Sequence, residues 1–402
     1  MLLSLTLLVA ICLLTDVVVA LPIVAKVAKD DPKDDTMELV YVTAVWRHGM
    51  RSPDVNFTDN LYPVDYWPNG MGELTDYGIE QQRQLGSYIR QKYIKKLKLF
   101  SPVYSPEAYK VEASIRNRTQ QSALYNFQGT FNDNSVTIND FDLTWPKENE
   151  ENIVGYPYYN QCDFVAKLAK YAEANAVYQD FIHHNKWFKN LTTTTSILHS
   201  FDFADPLYVE KMQNLTLAPE YESAWEEIFN SYVTSLKYFY GDGLLDNKID
   251  IYQKLVQYHA GRVLTDIMQK FTLKQQCSQE SNHLADDDIC DELYDLKFKA
   301  FSLHDTYITG SLFALGFKKL DYDRENNCEM ASALFFELWN DKKAEEFYVK
   351  VIYRRNADVI FDITNEIEFC DGGRKGCKLE IFISGLKPFQ ITDSEEYCAQ
   401  SL

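Results

Sequence analysis

Strand and helix signals alternate at both ends of this chain, while its middle reads as helix alone, and this limits the fold more than any other feature. Leu39–Trp46 is an unbroken aliphatic, β-branched and aromatic run, the pattern of a buried strand. It leads directly into Arg47-His48-Gly49-Met50-Arg51-Ser52-Pro53, where Gly and Pro mark a loop. Thr75 opens a helical pattern in which Leu85, Ile89, Tyr93 and Leu97 recur every four residues. Tyr109–Ala113 reads as a short strand, and a helix begins near Arg116-Asn117-Arg118-Thr119 and continues to Gly129. Helix then dominates from about Asp163 to Gln276. Strand character returns at Leu296–Leu303, ends in His304-Asp305, and gives way to a helix from Thr306 towards Gly316. Ser332–Trp339 and Phe347–Arg354, on either side of an Asn-Asp-Lys-Lys turn, read as a hairpin. The expected fold is α/β: a central mixed sheet flanked by helices, built from residues 38–160 and 285–402 and interrupted by a smaller all-helical cap over 161–284.

The 402 residues carry a net charge of -19, which argues against nucleic-acid binding, since that needs a basic face to displace counterions. A local basic pocket for a small anion is compatible with this balance. Leu2–Leu14 is nearly all apolar, and Val18-Val19-Ala20 supplies small residues for cleavage before Leu21, so residues 1–20 read as a secretory signal peptide. The competing reading is an uncleaved anchor, against which Asp16 interrupts the run. No later stretch has the ~20 apolar residues of a span, and Thr392 to Leu402 has no apolar tail for a lipid anchor. A secreted or lysosomal, luminal address is expected.

Cysteines and sequons point the same way. Without Cys12 the chain keeps Cys162, Cys277, Cys290, Cys328, Cys370, Cys377 and Cys398, an odd set that should mostly pair in an oxidising compartment. Cys277 with Cys290 and Cys370 with Cys377 flank short polar or Gly-rich segments that suit local loops. Asn56, Asn117, Asn190 and Asn214 each begin an Asn-x-Ser/Thr site. His183-His184, His199, His259 and His283 have no acidic or Cys partner at ligand spacing, so solvated helix faces are expected there and no metal site.

Chemistry concentrates where two strands end, one in Arg47-His48 and the other in His304-Asp305. In open α/β sheets, ligands collect at the carboxyl ends of strands. If these strands are neighbours, both pairs meet in one crevice, and Arg118 joins from a third strand with the anion-favouring start of its helix. Several Arg donors, a His able to attack and an Asp able to deliver a proton are what a phosphate ester requires.

Arg47-His48-Gly49-x-Arg51-x-Pro53 with a distant His304-Asp305 resembles the signature pair of the histidine acid phosphatases. Trp67-Pro68-Asn69-Gly70-Met71-Gly72-Glu73-Leu74-Thr75, continuing through Gly78, Gln81, Leu85 and Gly86, resembles the branch that holds the prostatic and lysosomal acid phosphatases. The resemblance covers about Glu38 to Cys398 and is weakest in the cap. It implies the histidine phosphatase (phosphoglycerate-mutase-like) fold and a secreted acid phosphatase that needs no metal or other cofactor. His48 would be the nucleophile that forms a phosphohistidine, and Asp305 would protonate the leaving alkoxide. Arg47, Arg51 and Arg118 would grip the phosphoryl oxygens, with His304 as a further donor. Clustered Arg charge disfavours imidazolium, which would keep His48 neutral in acid. Partners would be small phosphate monoesters, and relatives suggest a homodimer.

By the same resemblance Cys162 should reach Cys398 and Cys370 should bridge Cys377, with Cys277–Cys290 a local addition in an inserted segment. Val209 stands where that branch has a Cys, and its usual partner aligns with Cys328, the expected leftover thiol. Met50 fills a motif position that is often Asp or a small or polar residue, and a hydrophobe beside the phosphate would reshape leaving-group preference. A glycan at Asn117 would crowd the pocket mouth, so that site is expected to be unoccupied or to point away. Two rivals stay open: a phytase-like inositol polyphosphate phosphatase, which would want more Lys and Arg, and a catalytically silent secreted glycoprotein of the same fold.

Overall fold

The computed structural model describes residues 36–57, 60–146, 162–192, 195–279, 287–317, 328–370 and 372–402. The expected signal peptide, most of the acidic lead-in and His283 lie outside these residues.

One mixed sheet organises the molecule. Its strands are β1 (Met37–Arg47), β2 (Tyr109–Ala113), β3 (Leu143–Thr144), β4 (Phe298–Leu303), β5 (Ala333–Asp341), β6 (Glu346–Arg354), β7 (Ile360–Asp362) and β8 (Cys377–Lys378). Their order is β3-β2-β4-β1-β5-β6-β7, with β8 against β6. The β3-β2-β4-β1 part is parallel and the β1-β5-β6-β7 part antiparallel. β1 is buried on both sides, which explains its unbroken apolar run. Val42, Ala44 and Trp46 enter one apolar layer, and Tyr41 and Val45 enter the other.

The first layer is closed by α1 (Asp76–Ile89) and α2 (Asn117–Phe131). Thr75 caps α1 by accepting from the Gly78 amide at 3.2 Å. The two helices cross so closely that a Cβ at Gly86 would strike the Asn126 carbonyl. The four-residue period from Leu85 to Leu97 does not continue as α-helix. Arg90–Lys96 widens into a π-helical turn, with the Leu97 amide donating to the Lys92 carbonyl at 2.9 Å. In this turn Lys92 lies 2.6 Å from the buried Glu337 carboxylate, to which the Tyr93 hydroxyl also donates at 2.7 Å.

A second, all-helical layer comprises α3 (Asp163–Glu173), α4 (Ala176–His184), α5 (Lys186–Leu191), α6 (Asp205–Met212), α7 (Pro219–Ser223) and α8 (Trp225–Phe239). Its apolar cluster includes Phe164, Leu168, Phe188, Phe203 and Tyr232, and it takes in Met50 and Trp67 from the segment after β1. The remaining helices are α9 (Ile251–Gln279), α10 (Asp287–Asp295), α11 (Asp305–Ala314), α12 (Leu379–Leu386) and α13 (Ser394–Cys398). α9 serves both parts: Ile251 and Leu255 pack in the helical cluster, while Val263, Leu264, Ile267 and Phe271 cover the second face of the sheet. Disulfides join Cys162 to Cys398, Cys277 to Cys290 and Cys370 to Cys377.

Candidate active site

β4 lies between β1 and β2 and is parallel to both. Arg47 is level with Leu303, and Ala113 with Ser302, so three strands end together at one edge of the sheet. The ladder runs on into the loops: the His48 amide donates to the Leu303 carbonyl at 2.9 Å and the Ser114 amide to the Ser302 carbonyl at 3.4 Å. This register brings together Arg47-His48, His304-Asp305 and the start of α2 at Arg118, at the strand ends where α/β sheets bind ligands. Gly49 and Gly78 set the depth of the first loop. A Cβ on either would run into the other segment's backbone, at the Gly78 or the Met50 carbonyl.

His48 is buried, and its Nδ1 is 2.8 Å from the Gly49 carbonyl oxygen. A carbonyl can only accept, so Nδ1 carries the proton and Nε2 of the neutral ring has the lone pair. Burial, then the charges of Arg118, His304, Arg47 and Arg51, hold the imidazole well below the usual histidine range. His304 meets His48 edge to face with centroids 5.4 Å apart. Burial, followed by Arg118 and Arg116, holds it low as well. Its Nε2 is 2.9 Å from the Ser114 hydroxyl, which is 2.9 Å from that of Thr119.

Each of the three arginines is anchored by its terminal nitrogens. Arg47 pairs with Asp305 at 2.8 Å and donates through Nη1 to the Cys328 carbonyl. Although burial opposes its charge, Asp305 raises the Arg47 pKa further. Arg51 forks onto Asp205 at 2.8 and 3.2 Å, and Arg118 forks onto Asp54 at 2.9 and 3.1 Å. Burial, helped by Arg51 and opposed by Asp54, lowers Arg118 to about 10. Among the described residues, the buried Nε–H groups of Arg47, Arg51 and Arg118 meet no acceptor. Such groups are uncommon in proteins, and three around one histidine suit an anion with several oxygens.

Sequence reasoning missed the groups that hold this arrangement. Ser302, fully buried, accepts from the Trp46 indole N–H at 2.8 Å and donates to the Thr119 carbonyl at 2.7 Å, tying β1, β4 and α2 together. Gln82 donates to the Arg47 carbonyl at 2.9 Å; Gln81, already part of the motif that carries the resemblance, accepts from the Met50 amide at 2.8 Å. Asp54 and Asp205 were not singled out, and Asp202 and Glu210 flank Asp205. Burial raises the pKa of Asp202, and it raises that of Glu210 to about 7 with help from Asp205.

Other expectations meet particular surroundings. Met50 is buried and packs in the helical cluster. Val209 is fully buried in the same cluster, and Cys328, outside the three disulfides, has its sulfur 3.9 Å from the Asp305 carbonyl oxygen. His183 and His184 are exposed, and His184 pairs with Asp180 at 3.0 Å. His199 is half-buried beside Asp202 at 3.4 Å. His259 corrects the solvated reading: it is buried in α9 and stacked on Phe239 at 4.1 Å, because α9 is covered along its length. Among the described residues no His/Cys/Asp/Glu group has the arrangement of a metal site, and no helix is long and apolar enough to cross a membrane. Asn190 and Asn214 are exposed, while Asn56 and Asn117 use their side-chain nitrogens on the Tyr62 carbonyl (3.2 Å) and Glu73 (2.7 Å).

Comparison with known proteins agrees with this geometry. The family model of the histidine phosphatase superfamily (branch 2) matches residues 38–354. Mouse prostatic acid phosphatase is 25% identical over 381 residues, covering 90% of this chain and 89% of that protein. Lysosomal acid phosphatase of Xenopus laevis is 26% identical over 380 residues, covering 91% and 80%. Among solved structures, a Hafnia alvei phytase in complex with tartrate superposes with a TM-score of 0.60 at 15% identity, over 92% of this chain and all (100%) of that one. At that identity the likeness is one of fold.

Proposed function

Starting from a chain that belongs to the histidine phosphatase superfamily (branch 2), we propose that it is a secreted or luminal acid phosphatase acting on phosphate monoesters through a phosphohistidine on His48. The observation that carries the reading is the gathering of three arginines, each with an unmet buried Nε–H, around a histidine held neutral.

Nε2 of His48 attacks phosphorus, the ester P–O bond breaks, and Asp305 gives its proton to the leaving oxygen. Asp305, now a carboxylate, takes a proton from water as the water oxygen attacks phosphorus. The N–P bond then breaks and phosphate leaves. Arg47, Arg51 and Arg118 hold the equatorial oxygens, where charge is spread in the transition state. Asp305 donates while a phosphoryl group shares its partner Arg47, which lies 2.8 Å away. Burial matters because an unperturbed histidine would be protonated, and not nucleophilic, at the acid pH where such an enzyme works. Phosphate-monoester hydrolysis is among the slowest uncatalysed reactions, so the site needs both its nucleophile and its preorganised charge.

The secreted or luminal address draws on the apolar first residues and on the three disulfides, which belong to oxidising compartments. The inositol polyphosphate reading draws on the phytase neighbours. Against it, Asp54 and Asp205 already take up charge of Arg51 and Arg118, and Asp202 and Glu210 beside them add no further cation for a substrate with several phosphates. The test is hydrolysis of an aryl phosphate at mildly acidic pH with a chelator present, for wild type and His48→Ala. Turnover that survives chelation and vanishes in the variant is expected. Loss of wild-type activity to the chelator contradicts the mechanism.

A further inference from the structure

We propose that Asp54 is a positioning residue for phosphate binding, setting the angle at which Arg118 and Arg51 meet the phosphoryl group; the proposal rests on those arginines being the phosphate grip. A guanidinium presents two hydrogen-bonding edges, an end edge of Nη1 and Nη2 and a side edge of Nε and one Nη. Asp54 takes the end edge of Arg118, with Oδ1 2.9 Å from Nη1 and Oδ2 3.1 Å from Nη2. Asp205 takes the end edge of Arg51 in the same way. In both arginines the unmet donor is Nε, on the side edge. The end edges of both guanidinium groups are thus clamped by carboxylates, and their Nε–H groups are the donors that meet no acceptor among the described residues.

Asp54 also couples the two arginines. Its Oδ2 lies 3.4 Å from Nη2 of Arg51, and its backbone N–H donates to Asp205 at 2.8 Å. One carboxylate therefore bridges two guanidinium groups, one from the loop after β1 and one from the first turn of α2. The turn at Gly72 closes over this pair. The Gly72 carbonyl is 3.4 Å from Nη1 of Arg118, and a Cβ at Gly72, whose φ is +74°, would fall 2.5 Å from Oδ1 of Asp54. The placement has a rival interpretation, in which the carboxylate competes with phosphate for Arg118. The two differ in sign. A positioning carboxylate strengthens phosphate binding, and a competitor weakens it.

The test measures kcat and KM for phenyl phosphate, and the Kd of inorganic phosphate by calorimetry, for wild type, Asp54→Ala, Asp54→Asn and Arg118→Ala. Thermal melting first establishes that each variant is folded, and Asp54→Asn, which keeps one acceptor oxygen, serves if Asp54→Ala does not fold. Asp54→Ala is expected to weaken phosphate binding and raise KM by about 10-fold, with a smaller drop in kcat, and Asp54→Asn to lose less. A general loss of packing would not produce this split between KM and kcat. Tighter phosphate binding in the Asp54 variants, or binding equal to wild type, overturns the assignment. If Arg118→Ala loses phosphate affinity but the Asp54 variants do not, only the role of Asp54 fails. If Arg118→Ala binds phosphate as well as wild type, the reading of the grip fails too.

Discussion

The buried His259 makes a quantitative prediction about stability in the acid range where this site is meant to work. Its ring is stacked on Phe239, with Nε2 3.2 Å from the Phe239 carbonyl oxygen, and burial lowers its pKa to about 3. An unfolded chain protonates the same ring near pH 6.5. Above about pH 6.5 the residue is neutral in both states and the pH has no leverage on it. As pH falls from about 6.5 towards 3, the unfolded state gains a proton that the folded state refuses, and stability is lost. At pH 4.5 the gap is about two pH units below the unfolded value, or roughly 3 kcal/mol. His259→Gln removes the titration and keeps an amide that can donate to the Phe239 carbonyl, at a cost of about 1 kcal/mol for the altered packing and hydrogen bond at neutral pH. The variant is therefore expected to be the less stable protein at pH 7.5 and the more stable one at pH 4.5. With on the order of 2 °C per kcal/mol for a chain of this size, the difference between the two melting temperatures should swing by roughly 5 °C. Melting both proteins at one scan rate across pH 7.5, 5.5 and 4.5 measures it, and the contributions of His48 and His304 cancel because both proteins carry them. A difference that stays constant across the range would refute the reasoning.

Two further outcomes follow from the geometry. Ser302→Ala leaves the buried Trp46 indole N–H without its acceptor and removes the tie to Thr119. It should destabilise by about 2–4 kcal/mol and lower kcat/KM, and in a cycle with Trp46→Phe the two changes should couple by at least ~0.5 kcal/mol; strict additivity would contradict the tie. Peptide mapping of the protein expressed through a secretory pathway should find glycans on Asn190 and Asn214 but not on Asn56 or Asn117, whose side-chain nitrogens are already engaged; full occupancy of Asn117 in active enzyme would contradict this.

The parts of this molecule that were legible in sequence are those where one physical requirement acts over a run of neighbours. β1 and β4 are buried on both faces, so they show as continuous apolar stretches, and the loops that follow them announce themselves by Gly, Pro, Arg and His. That β1, β4 and β2 lie side by side is a long-range pairing with no local signature. Ser302 was hidden because a lone hydroxyl in an apolar strand looks like any other polar interruption. Asp54 and Asp205 were hidden by numbers: with 59 acidic residues, no single carboxylate stands out until an arginine is seen against it. His259 was misread because α9 is covered by the sheet on one part and by the helical layer on another, so its polar positions do not mark a solvent face. The π-helical turn after Ile89 sets Lys92 and Tyr93 against Glu337, 244 residues further along the chain from Tyr93, and no local period could encode it.

The central claim is a covalent bond between His48 and phosphorus. Rapid acid-free quenching of wild-type enzyme during turnover of a radiolabelled phosphate monoester, followed by digestion in alkali-stable conditions, tests it directly. The account predicts acid-labile label on the peptide that contains His48, and none in His48→Ala. Steady turnover by wild type with no labelled histidine, or with the label on another residue, would contradict it.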